Sequence, residues 1–239
     1  MRIFVVSDVH GYYTPLKEAL DRSGFDKDND EHLLICCGDY FDRGSENVEV
    51  LRLLECIQNK VLIRGNHEDL LLKLLRTGKL LPHHYINGTL RTLENFFGKY
   101  SIDPLDDTID FSGKTRITDR ICQFIEEMVD YYETEHYVFV HGWIPENALT
   151  QEKRRNAGKQ DWEKARWIRW NDQYTGLRPI ENKTLICGHV PSFFANRFDD
   201  RRKSKDYTIF YGNGMIAIDA GTAESKQVNV LVLEEEMQI

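Results

Sequence analysis

The chain has 239 residues, 41% of them apolar and 29% charged, a balance that excludes a disordered protein and is enough for a substantial core. Lysine and arginine number 31 against 39 acidic residues, so the formal charge of −8 argues against a chain-wide affinity for nucleic acid or anionic lipid. No apolar run approaches the ~18 residues of a membrane span, and the first, Ile3–Val6, stops at Ser7-Asp8, well short of a secretory signal.

In chain order, short apolar runs recur at Ile3–Val6, Leu33–Cys37, Val61–Ile63, Tyr137–Val140, Thr184–Cys187, Met215–Ile218 and Val228–Leu233. Near-continuous runs of this kind predict strands covered on both faces. Helical spacing lies between several of them. Glu46–Gln58 aligns Val50, Leu53, Leu54 and Ile57. His67–Arg76 aligns Leu70, Leu71, Leu74 and Leu75, with Glu68 and Asp69 at the positive end of the helix dipole. Ile117–Tyr132 aligns Ile121, Phe124, Ile125 and Met128. Strands alternating with helices predict an α/β architecture. Thr77–Arg116 and Trp143–Lys183 break the alternation and read as access loops or surface insertions. Five cysteines without CxxC spacing read as reduced thiols of a cytoplasmic protein.

The chemistry sits where the predicted strands end. The first run gives Ser7-Asp8-Val9-His10-Gly11 and the second Gly38-Asp39-Tyr40-Phe41-Asp42-Arg43-Gly44. The third gives Gly65-Asn66-His67-Glu68, the fourth His141-Gly142 and the fifth Gly188-His189. Ligands of open α/β sheets bind outside the carboxyl ends of the strands, so five such turns can bring Asp8, His10, Asp39, Asn66, His141 and His189 together. Oxygen and imidazole donors without thiolate suit Mn, Fe, Co or Zn. Six donors exceed the four of a structural zinc and suit two ions sharing a carboxylate, between which a water is acidified to a nucleophilic hydroxide.

These motifs resemble those of the calcineurin-like metallophosphoesterases, and more narrowly the phosphoprotein phosphatase family, whose patterns are Gly-Asp-x-His-Gly, Gly-Asp-x-x-Asp-Arg-Gly and Gly-Asn-His-Glu followed by two separate histidines. The resemblance runs from residue 7 to residue 189; its one departure is Ser7 in place of the first glycine, a replacement that bacterial members tolerate. It implies one domain over residues 1–239, with helical or loop insertions around 77–132 and 143–183. The implied fold is a four-layer α/β/β/α sandwich, two mixed sheets flanked by helices.

The resemblance also implies roles. Asp8 and His10 bind a first metal, Asp39 bridges, and Asn66, His141 and His189 complete the second, with Mn favoured and Fe, Zn or Co as alternatives. A bridging hydroxide attacks phosphorus in line, without a phosphoenzyme. His67 protonates the leaving oxygen, Asp42 accepts its other N–H, and Arg43 offers a planar fork to the phosphoryl oxygens. A second phosphate arginine is expected in Ala165-Arg166-Trp167-Ile168-Arg169-Trp170, with Arg169 ahead of Arg166; the plainer alternative packs Trp167 and Trp170 on one helix face with solvated arginines.

Among other features, His83-His84 is expected in a solvent-facing loop, Arg64 as a turn anchor, and Lys153-Arg154-Arg155 and Arg201-Arg202-Lys203 as solvated basic runs. The leading expectation is a phosphomonoesterase acting on Ser/Thr phosphoproteins, extending to Tyr or to small phosphate esters. A dinucleoside-polyphosphate hydrolase is the enzymatic rival, and a metal-free binding scaffold the non-enzymatic one. No nucleic acid or membrane partner is expected.

Overall fold

The structure, a computed structural model of the chain, describes residues 1–173, 180–196 and 205–235. The first half runs β1 (Arg2–Val6), α1 (Tyr13–Ser23), β2 (His32–Cys37), α2 (Asn47–Cys56), β3 (Lys60–Ile63) and α3 (Asn66–Thr77). Then come α4 (Pro82–Asn87), α5 (Thr89–Phe97), a small hairpin of β4 (Ile102–Asp103) and β5 (Thr108–Ile109), and α6 (Thr115–Glu126). The second half begins with β6 (Tyr132–Glu133) and β7 (Tyr137–Phe139), followed by α7 (Gln151–Asn156), α8 (Lys159–Ala165) and α9 (Trp170–Gln173). It closes with β8 (Thr184–Cys187), α10 (Phe193–Asn196), β9 (Phe210–Gly212), β10 (Met215–Ala217), α11 (Thr222–Ser225) and β11 (Leu231–Glu234).

Two mixed sheets result. One has the order β11-β1-β2-β3, with β1, β2 and β3 parallel and β11 antiparallel at the edge. The other has the order β6-β7-β8-β10-β9, with β7, β8 and β10 parallel between two antiparallel edge strands. Successive side chains of a strand point to opposite faces, and the core divides accordingly. Ile3, Val5, Leu33, Ile35 and Cys37 of the first sheet meet Phe139, Ile186, Ile216 and Ile218 of the second. The alternate residues Phe4, Val6, Leu34 and Cys36 face α1, α2, α3 and α6, while Val138, Leu185, Cys187, Met215 and Ala217 pack against Trp162, Ala165 and Trp170. Each fully buried side chain of this size contributes about 1.5–3 kcal/mol. The fold is thus an α/β/β/α sandwich, and its doubly covered strands explain why they read as unbroken apolar runs.

Several expectations shift in detail. The helix expected over Ile117–Tyr132 is α6 and ends at Glu126, because Arg64 N–H and Val129 pair the following chain to the edge of β3 and Tyr132 already belongs to β6. His83-His84 lies in α4 rather than a loop, and His84 is buried, its Nδ1 accepting the Leu81 N–H at 2.9 Å. Trp167 and Trp170 do not share a face. Trp170 starts α9, is buried and donates its indole N–H to the Val190 carbonyl at 2.9 Å, whereas Trp167 sits in the preceding turn, 49% exposed.

Arg154 is not solvated. It is buried, its guanidinium bidentate to Glu133 (3.0 and 3.0 Å), bonded to Glu181 (2.9 Å) and to the carbonyls of Ala148 and Leu149. Arg64 anchors its turn, donating to the Ile125 carbonyl at 2.6 Å. Arg201-Arg202-Lys203 lies outside the described residues. All five cysteines are free; Cys36, Cys37 and Cys187 are buried and Cys56 is exposed. Among the described residues no helix is long and apolar enough to cross a membrane.

Candidate metal centre

The parallel strands β1, β2, β3, β7 and β8 each deliver a polar residue from the same kind of position, just past the carboxyl end. β1 leads into Asp8 and His10, β2 into Asp39, Asp42 and Arg43, and β3 into Asn66 and His67 in the first turn of α3. β7 leads into His141 and β8 into His189. Asp8, His10, Asp39, Asp42, Asn66, His67 and His141 are all buried and His189 nearly so. Ligand atoms of His10, Asp39 and His67 converge within 4.8 Å, and those of Asp39, His141 and His189 converge likewise, so Asp39 belongs to both groups.

The backbone holds these side chains in place at a cost. Asp8, His10, Asp39, Asp42, Arg43 and His189 all have φ between 50° and 71°, a left-handed conformation that non-glycine residues rarely adopt. Such strain costs about 1–3 kcal/mol per residue and persists only where surrounding contacts over-determine it. The contacts are visible. Asp39 Oδ1 accepts the His67 N–H (3.1 Å), capping the N-terminus of α3 from another loop, and Glu68 of α3 returns the bond to the Asp39 (2.9 Å) and Tyr40 (2.9 Å) N–H groups. Glu68 also takes the Gly65 N–H (3.0 Å), so it clamps two turns together, a role its place near the helix dipole did not announce. A Cβ at Gly65 would lie 2.2 Å from Asp39 Oδ1, so only glycine lets the two turns approach this closely.

The donor set has an unusual feature. His10 Nδ1 lies 3.0 Å from the Phe41 carbonyl and His141 Nδ1 2.8 Å from the Cys37 carbonyl. In each neutral ring that contact places the proton on Nδ1 and leaves the Nε2 lone pair pointing inward. His141 Nε2 then faces another acceptor, Asn66 Oδ1, at 2.8 Å, and the Asp39 carboxylate at 3.4 Å. His10 Nε2 lies 3.7 Å from Asp39 and 4.0 Å from Asp8. Lone pairs converge on lone pairs, an arrangement that a cation between them satisfies. The residues present therefore fit divalent metal ions.

The electrostatics agree. Burial pushes the Asp8 carboxyl up to about 6 against the pull of His141. Burial acts the same way on Asp39, but the four imidazoles around it outweigh the effect and hold it below the usual carboxylate range. Burial and Arg43 keep His10 well below its usual value, and burial and His141 lower His189 to about 4. His67 goes the other way. Burial opposes its charge, yet Asp39 and Asp42 raise it to about 9. Its Nδ1 lies 2.7 Å from Asp42, which Thr89 and Thr92 hold with hydroxyls at 3.0 and 2.9 Å, and its Nε2 lies 3.8 Å from Asp39.

The arginines differ. Arg43 is exposed beside His10 and His67, and its guanidinium is held by no bond among the described residues. Arg166 is buried between Asp69 (2.6 Å) and Asp130, whereas Arg169 is half-exposed, 3.9 Å from Asp172 and over the Phe194 ring.

One buried carboxylate in the same region was not singled out in the sequence. Asp219 follows β10, takes the Gly221 N–H at 2.6 Å, and is pushed well above its usual value by burial and by Asp8. Its signal was close to that of the other strand ends, an apolar run followed by a ligand-type residue with a glycine nearby, here Gly221. A cavity of about 420 Å³ between α2, β3 and α6, lined by Glu55, Lys60, Arg120 and Phe124 among others, contains none of these residues.

The calcineurin-like phosphoesterase profile matches residues 1–218. Serine/threonine-protein phosphatase 2 of Salmonella typhimurium is 28% identical over 227 residues, covering 92% of this chain and 87% of that protein. A symmetrical bis(5'-nucleosyl)-tetraphosphatase of Coxiella burnetii is 36% identical over 90 residues, covering 38% of this chain and 30% of that protein. Among solved structures, a serine/threonine phosphatase from Saccharomyces cerevisiae has a TM-score of 0.59 at 15% identity, covering 100% of this chain and 81% of that one. A cold-active protein tyrosine phosphatase has a TM-score of 0.57 at 22% identity, covering 98% and 73%. At these identities the solved structures speak to the fold alone, and it is the same sandwich. The match over residues 1–218 makes the chain a member of the calcineurin-like phosphoesterases, a hydrolytic phosphatase.

Proposed function

We propose that the protein removes phosphate from serine and threonine, and also tyrosine, side chains of phosphoproteins, using two divalent metal ions. Asp8 and His10 would hold one ion, Asn66, His141 and His189 the other, with Asp39 between them. When bound, such ions polarise the phosphoryl oxygens and acidify a water for in-line attack. Manganese is the first candidate, with Fe, Zn and Co as alternatives, because the donor set is oxygen and imidazole without thiolate. Arg43, exposed beside His67, would grip the phosphoryl group with its planar fork. Arg169 is the better second contact, since Arg166 is already committed to Asp69 and Asp130. The unpaired cysteines suit the reducing cytoplasm.

The observation that carries this reading is the His67–Asp42 contact of 2.7 Å, with the other imidazole nitrogen turned toward Asp39. Asp42 keeps a proton on His67, beside the cluster, where it can be handed to a departing oxygen. A serine or threonine alkoxide is a poor leaving group and needs that proton. A nucleoside phosphate leaves as a stable anion and needs it far less. The Salmonella phosphatase also aligns over most of this chain, the tetraphosphatase over a short segment.

Parallel assays of manganese-loaded protein with a phosphoserine peptide and with diadenosine tetraphosphate test the proposal. Faster turnover of the peptide is expected. Preference for the dinucleotide would replace this reading with the polyphosphate hydrolase. A loss of phosphate inhibition in Arg169→Ala, but not in Arg166→Ala, would assign the second arginine.

A further inference from the structure

Ser7 is the residue at which this chain leaves the glycine of the family pattern. It directly follows β1 and is buried. Its hydroxyl contacts Asp8 Oδ2 and lies 3.2 Å from the Cys37 carbonyl, the same carbonyl that orients His141. Asp8 Oδ2 also accepts the His189 N–H at 2.9 Å. One oxygen of Asp8 is therefore occupied by two protein donors. The other, Oδ1, faces His10 at 4.0 Å. The space for the hydroxyl comes from residue 188, where a Cβ would lie 1.8 Å from Ser7 Oγ and 2.2 Å from Asp8 Oδ2. Serine at 7 and glycine at 188 are thus sterically matched.

We propose that Ser7 is a positioning residue of the metal centre. Its hydroxyl, together with the His189 N–H, fixes the Asp8 carboxylate so that one oxygen alone is presented to a cation. Without the hydroxyl, Oδ2 keeps a single donor and the carboxylate is free to turn. Partners of this kind set the orientation and basicity of a ligand, and their loss weakens metal binding ~10–100-fold. The inference rests on the reading of Asp8 as a metal ligand.

The test uses the full chain, stripped with chelator and titrated with Mn²⁺ by calorimetry, for wild type, Ser7→Ala, Ser7→Gly and Asp8→Asn. Wild type is expected to bind two ions. Both Ser7 variants should bind one of the two ~10–100-fold more weakly, at the site that Asp8→Asn removes, with the other site unchanged. The melting temperature of the stripped protein should stay within a few degrees of wild type. Wild-type affinity at both sites in both variants would overturn the proposal. Equal weakening of both sites with a large fall in melting temperature would overturn it in favour of packing. Failure of the wild type to bind any of Mn²⁺, Fe²⁺, Co²⁺ or Zn²⁺ would instead bring down the metal centre itself.

Discussion

The buried charges around Arg154 and those around Asp39 are wired in opposite ways. Around Arg154 donors and acceptors match. Glu133 takes two guanidinium bonds and the Lys183 ammonium at 2.6 Å, and Glu181 takes a third guanidinium bond and the Gln151 N–H. The group ties β6 to α7 and to the chain entering β8. Around Asp39, imidazoles stand 3.4–3.8 Å from the carboxylate, acceptor faces acceptor at Asn66, and the backbone is left-handed at six positions. One group is complete within the chain and stabilises it. The other is incomplete within the chain and destabilises it, which is the pattern expected where a fold is shaped for something it binds.

That contrast can be broken experimentally. The largest effect belongs to the Asp39 group. Chelation should abolish turnover of a phosphopeptide, and Mn²⁺ should restore it, while the stripped protein stays folded by circular dichroism; loss of fold on chelation would make the ions structural. Next, His67→Asn should slow hydrolysis of an alkyl phosphate ester ~10²–10⁴-fold with two ions still bound per chain by elemental analysis. A fall to one ion would make His67 a ligand rather than the acid.

The Arg154 group should answer in stability instead. Arg154→Ala leaves Glu133 and Glu181 without their main partner and should cost about 3–5 kcal/mol in denaturant unfolding, with kcat per folded molecule unchanged. A smaller effect is expected from acid. Burial would raise the Glu133 carboxyl, but Arg154 and Lys183 outweigh it and hold it below its usual value. Its contribution is therefore full above the unfolded value of roughly 4.5 and is lost as the pH falls through the lower folded one. Wild type should lose melting temperature over that acid range more steeply than Glu133→Gln.

The two groups also differed in how legible they were. The strand-end motifs stood out because each lies within a few residues of an apolar run, so a local pattern carried Asp8, Asp39, Asn66, His141 and His189. Arg154 read as one of three solvated charges because its partners are distant in sequence, Glu133 lying 21 residues before it and Glu181 27 after. His84 looked exposed because Pro82 and Gly88 suggested a loop, whereas they bound a helix, proline near its start and a left-handed glycine at its end. Asp219 follows an apolar run as the strand-end motifs do, but without an adjoining glycine of the kind that flanks His141 and His189.

The left-handed geometry at Asp8, His10, Asp39, Asp42, Arg43 and His189 bears on how this scaffold should be engineered. Glycine at any of these codons relieves up to about 1–3 kcal/mol of backbone cost while deleting a chemical group. A library sorted only for soluble yield or heat resistance will drift toward such replacements and enrich well-behaved, inert proteins. Selection on this sandwich has to score catalysis in every round.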